Sequence, residues 1–164
     1  MDVKQKLFFV LFAVLFVVDQ PVSASEIMFG PLQFRATVGS MPSSAAYLSI
    51  TNHGKMADRL VGVTSNLARK TELHKMETDN GVMKMRKVEG GIGLRAGQTI
   101  HLAPSGYHVM LVGLNAPLTA NDMFEITLIF QNAGEKILKG RAMLPADLET
   151  GDAVKMHKHK HKTH

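Results

Sequence analysis

The Asn80-Gly81 dipeptide constrains the local fold more than any other feature of the chain. Both residues tolerate positive φ, so the pair favours a two-residue type I′ turn that joins antiparallel strands. Counting outward from such a turn sets Asp79 opposite Val82, Thr78 opposite Met83, Met76 opposite Met85 and His74 opposite Lys87. Cross-strand partners share a face, so His74, Met76, Met83 and Met85 point to one side of the hairpin. A four-residue loop would change the partners and keep this parity, whereas a three-residue loop would break it. In the two-residue register His74 lies diagonal to Met85, about 7–8 Å apart at the backbone and within reach of long side chains.

The rest of the chain reads as short strands separated by turn residues. Expected strands are Leu32 to Val38, Ala45 to Thr51, Arg59 to Thr64, Thr71 to Thr78, Val82 to Val88, Thr99 to Leu102, Tyr107 to Val112, Phe124 to Phe130 and Lys136 to Leu144. Turn chemistry falls at Asn52-His53-Gly54, Gly90-Gly91, Pro104-Ser105-Gly106 and Asn132-Ala133-Gly134. Many short strands at this spacing predict an all-β, antiparallel sandwich or barrel. On the Tyr107 to Val112 strand, Tyr107, Val109 and Leu111 make a core face, and His108 and Met110 are expected to project away from it.

Three parts are expected. Residues 1–24 read as a signal peptide: Lys4 and Lys6 precede an apolar run from Leu7 to Val18, and Val22-Ser23-Ala24 offers small residues for cleavage after Ala24. That run is too short to span a bilayer comfortably, and no Cys follows it to carry a lipid. A soluble periplasmic protein without stable membrane insertion is therefore expected. Residues 25–150 would form one domain, and residues 151–164 a disordered His- and Lys-rich tail. With no cysteine in the chain, packing alone must hold the fold. The formal charge of +5 comes largely from Lys155, Lys158, Lys160 and Lys162. No basic patch is interleaved with aromatics, which argues against nucleic-acid binding.

Three pairs at a spacing of two carry the chemistry: His74-x-Met76, Met83-x-Met85 and His108-x-Met110. Thioether is a soft ligand that selects Cu(I), and imidazole complements it. Both are neutral donors, since Met has no proton to lose and His is uncharged above a pKa of about 6.5. A blue-copper electron-transfer site needs a Cys thiolate, which this chain lacks. The pattern points to His74, Met85, His108 and Met110 as Cu(I) ligands, with Met76 and Met83 divided between packing and ligation. Single residues have duller readings: Met123 and Met143 as core gap-fillers, His53 and His101 as surface histidines. The tail holds Met156, His157, His159, His161 and His164, an imidazole-rich set better suited to Cu(II), Ni(II) or Zn(II) than to Cu(I).

The stretches Glu72-Leu73-His74, Asn80-Gly81-Val82-Met83-Lys84-Met85-Arg86 and Gly106-Tyr107-His108-Val109-Met110-Leu111 resemble the PCuAC family of periplasmic copper chaperones. That family's signature is a His, ten residues, a Met, about 21 residues and His-x-Met. Ten residues separate His74 from Met85, and 22 separate Met85 from His108, one more than the signature. Further agreement includes Ala46-Tyr47-Leu48, Asp58-Arg59-Leu60 and Glu89-Gly90-Gly91-Ile92. The resemblance implies a cupredoxin-like, Greek-key β-sandwich that binds Cu(I) through His74, Met85, His108 and Met110. It also implies delivery to the CuA centre of cytochrome c oxidase, alongside a Sco-type thiol protein, and a Cu(II) site in the histidine-rich tail.

Two other readings stay open from the residues: copper buffering by the same ligands, and a metal-free sandwich whose Met-rich face docks a protein. No Ser-His-Asp set, phosphate-cradling loop or paired carboxylate stands out, so an enzyme is not expected.

Overall fold

The computed structural model describes residues 26–148. The proposed signal peptide and the histidine-rich tail lie outside the described residues. Eleven strands are present and, among the described residues, no helix. They are β1 (Ile27–Phe29), β2 (Gln33–Arg35), β3 (Ser43–Asn52), β4 (Asp58–Thr64), β5 (Ala68–Asp79), β6 (Val82–Lys87), β7 (Ile92–Leu94), β8 (Thr99–Leu102), β9 (Tyr107–Leu114), β10 (Met123–Phe130) and β11 (Gly134–Met143).

Nine of these correspond to the strands expected from the pattern of turns and apolar residues. The two others, β1 and β7, are three residues long. Hydrogen bonding runs in the order β6-β5-β9-β8-β3-β2-β11-β10-β4-β7, with β1 attached to β3. Most pairings are antiparallel, but β11 with β2 and β8 with β9 are parallel. The sheet is therefore mixed rather than purely antiparallel. β2 and β11 are far apart in sequence, so no tight turn forces them to run in opposite directions.

The sheet encloses one apolar core. Phe34, Ile50, Leu60, Leu94, Val109, Leu111, Ile126 and Leu128 are buried within it. Leu73 of β5 and Val63 of β4, from opposite ends of the hydrogen-bonded order, belong to the same cluster. Each such side chain contributes roughly 1.5–3 kcal/mol when fully removed from water. Buried polar groups are paired at the turns: the Asp58 carboxylate accepts from the backbone N–H groups of Arg59, Asn132 and Ala133.

The β5–β6 hairpin matches the register counted from Asn80-Gly81: Asp79 with Val82, Thr78 with Met83, Met76 with Met85 and His74 with Lys87. Asn80 and Gly81 have φ of 49° and 79°, the pair of positive values that a type I′ turn demands. β6 is a sheet edge and all six of its residues are exposed. Lys84, Arg86 and Lys87 on that edge discourage pairing with another chain.

Candidate metal centre

β5 lies between β6 and β9, and its register brings the candidate residues together. His74 pairs directly with His108, and Glu72 with Met110. Met76 pairs with Met85. Because partners share a face, His74, Met76, Met83, Met85, His108 and Met110 all lie on one side of three adjacent strands. Val109 and Leu111 point from the other side of β9 into the core, as expected.

His108 differs from expectation in one respect. It projects away from the Val109–Leu111 face yet is only 3% exposed. Its Nδ1–H donates to the Gly106 carbonyl at 3.1 Å, and that carbonyl also accepts from the Met76 backbone N–H. A carbonyl can only accept, so the proton sits on Nδ1 and the Nε2 lone pair is free. Nε2 is buried and has no hydrogen-bond partner. Burial pushes the His108 pKa below its usual value, the Gly106 hydrogen bond opposes this, and the charges of His74 and Arg35 add to the lowering.

His74 mirrors this arrangement. Its Nε2–H donates to Glu72 Oε2 at 3.0 Å, which leaves the Nδ1 lone pair free. Nδ1 is also buried without a partner. The hydrogen bond from His74 holds the Glu72 carboxyl below the usual carboxylate range, and Lys87 adds to this from 3.5 Å. The two imidazole rings stand 6.0 Å apart between centroids, tilted by 55°. Buried imidazole nitrogens normally find partners. Here two neighbouring rings each have one nitrogen tied and the other unpaired, which is how proteins orient histidines toward a metal.

The methionines grade outward. Met110 and Met76 are half-buried, while Met85 is 47% and Met83 53% exposed. Among the described residues no group of three or more His, Cys, Asp and Glu side chains could hold an ion. The further donors on this face are the methionine thioethers and the Glu72 carboxylate, and the latter is already engaged by His74 and Lys87. The hairpin's opposite face carries an exposed ladder of ion pairs, Lys84 with Asp79 at 2.6 Å and Arg86 with Glu77 at 3.6 Å.

His53 and His101 are exposed, His53 in the loop after β3 and His101 on β8 opposite Ser49, in keeping with a surface role. Met123 is not a core gap-filler. It is the first residue of β10 and 56% exposed; its pairing with Arg141 on β11 keeps it on the solvent side. Met143 is half-buried. Glu72 and the Gly106 carbonyl were not singled out from the sequence as groups that orient histidines. Glu72 precedes His74 by two residues and so shares its face, a signal that strand periodicity contains. The Gly106 contact depends on loop shape and leaves no such trace.

Residues 27–139 match the LpqE-like family, described as "Putative lipoprotein LpqE-like". The chain is 40% identical over 89 residues to "Putative lipoprotein Lxx21020" of Leifsonia xyli subsp. xyli. That match covers 54% of this chain and 54% of the relative, so the chain spans about half the relative's length. Among solved structures, the copper-bound PCuAC domain from PmoF2 superimposes with a TM-score of 0.63 at 25% identity, covering 75% of this chain and 97% of that one. The solution structure of CuI-DR1885 from Deinococcus radiodurans matches with a TM-score of 0.54 at 25% identity, over 75% of this chain and 80% of that one. The family match spans most of the described residues and the structural likeness covers three-quarters of the chain: the chain belongs to the LpqE-like family and has the cupredoxin-like β fold of PCuAC domains.

Proposed function

We propose that this chain is an exported, non-enzymatic copper chaperone of the periplasm. It binds Cu(I) through His74, Met85, His108 and Met110 and releases it to an acceptor, the CuA centre of cytochrome c oxidase, with a Sco-type thiol protein as a further partner. One observation carries the reading: Nδ1 of His74 and Nε2 of His108 are buried, unpaired and on neighbouring rings. Metal–imidazole bonds of about 2.0 Å added to ring radii of about 1.1 Å bridge centroids up to roughly 6 Å apart. The observed separation of 6.0 Å lies at that limit, so a four-donor shell would draw the two rings closer together. The solved relatives described as copper-bound support the same choice of ion.

Four neutral donors leave the bound ion with its single positive charge, and loading releases no proton from thioether. Release follows from the gradient of exposure. Met85 is reachable from solvent and His108 is not, so an acceptor's ligands displace the thioether first and the buried imidazole last. Among the described residues no helix is long and apolar enough to cross a membrane.

Replacing Met85 and Met110 together with Leu removes both thioethers and keeps side-chain size. Anaerobic competition against a Cu(I) chelator should show a loss of affinity of at least about tenfold, the scale of one lost ligand interaction. Unchanged affinity would remove both residues from the site.

A further inference from the structure

Met76 and Met83 are left over once the four proposed ligands are assigned, and packing does not account for Met83. It lies on an edge strand whose residues are all exposed, and its own exposure is 53%. The other exposed methionines are dispersed: Met28 lies in β1, Met123 opens β10, and Met41 and Met56 lie in loops. Met76, Met83 and Met85 are not: Met76 is directly opposite Met85, and Met83 is two residues from Met85 on the same face. Directly opposite residues have Cβ atoms about 4.5–5.5 Å apart, and diagonal ones remain within reach of long side chains. Thr78 Oγ1–H donates to Met83 Sδ at 3.2 Å, which fixes that thioether toward the shared face and leaves it a second lone pair.

The stripe runs without interruption from Met83 at the hairpin tip, through Met85 and Met76, to the half-buried His74 and the buried His108. The hairpin's other face is lined by Lys75, Glu77, Asp79, Lys84 and Arg86, which pair among themselves. Toward the tip, one face of the hairpin thus presents thioethers and the other mainly charged side chains.

We propose that Met76 and Met83, with Met85, form a second and shallower Cu(I) site from which the ion passes inward to the imidazoles. This rests on the reading that His74, Met85, His108 and Met110 hold Cu(I). In the empty protein the three thioethers capture the ion together. Once Met85 is engaged by the inner ion, Met76 and Met83 remain as a two-thioether site. The passage is ligand exchange alone: sulfur–copper bonds form and break in turn, copper stays monovalent, and no proton moves because thioether carries none.

The test is an anaerobic titration of the full chain, labelled with ¹³C at the methionine methyls, with Cu(I). Single Leu variants assign the signals. The first equivalent should move the Met85 and Met110 methyls, and the second should move Met83, the residue farthest from the imidazoles, together with Met76. In Met76→Leu/Met83→Leu the second event should vanish while the first persists. If Met85 and Met110 respond but Met83 stays fixed through the second equivalent, the outer site is refuted and the inner one stands. If Met85 and Met110 never respond, both fall.

Discussion

His74 and His108 stand directly opposite one another on β5 and β9, each with one ring nitrogen hydrogen-bonded and the other buried and unpaired. An apolar core gains nothing from that arrangement, because an unsatisfied buried polar atom costs about 1–3 kcal/mol. A metal that accepts both lone pairs turns this cost into binding energy. Loading with Cu(I) should therefore raise the thermal midpoint of the chain, and removing the ion with a chelator should lower it again. A midpoint indifferent to Cu(I) would speak against ligation by buried groups.

Glu72 should act on the ion without touching it. Its carboxylate fixes the His74 proton on Nε2, and loss of such an orienting partner typically weakens metal binding about 10–100-fold. Glu72→Ala should lower Cu(I) affinity by that order and leave the fold intact, as read by chelator competition beside circular dichroism.

Neighbouring residues on β9 should separate stability from binding. Leu111 is fully buried, so Leu111→Ala should cost about 2–5 kcal/mol in urea unfolding. Met110→Leu conserves volume and should cost less than about 1.5 kcal/mol while weakening Cu(I) binding. Equal effects of the two on both measurements would undo the assignment of opposite faces.

How much of this was legible in the sequence divides by range. The β5–β6 register could be counted from Asn80-Gly81 because turn type and side-chain alternation are both local. The approach of β9 to β5 could not, since His74 and His108 are far apart in sequence and nothing local states which strands become neighbours. Burial of His108 was missed for a related reason: alternation says which face a side chain takes, not whether that face is covered. β1 and β7 escaped because three residues are too few to show a period. Met123 departs from expectation because hydrophobicity alone does not fix burial, and its pairing with Arg141 puts it outside.

Acid should weaken the apo protein through His108. Burial lowers its folded pKa below 6.5. Between the two values the unfolded chain binds more protons, so stability is present above about pH 6.5 and is lost as pH falls toward and through the folded pKa. Urea unfolding from pH 7.5 to pH 5 should show a steeper loss for the native chain than for His108→Phe, and parallel curves would contradict it.

Gly81 should be sensitive in both respects. With φ at 79°, Gly81→Val forces a β-branched residue into the left-handed region at a cost of about 1–2 kcal/mol. The hairpin register that sets Met85 diagonal to His74 depends on that turn, so Cu(I) affinity should fall along with stability.

The most direct measurement is an X-ray absorption spectrum of the full chain carrying one equivalent of Cu(I). The first shell should contain both nitrogen and sulfur, with the sulfur contribution reduced in Met85→Leu/Met110→Leu and lost when Met76 and Met83 are replaced as well. A shell of nitrogen alone in the native chain would contradict this.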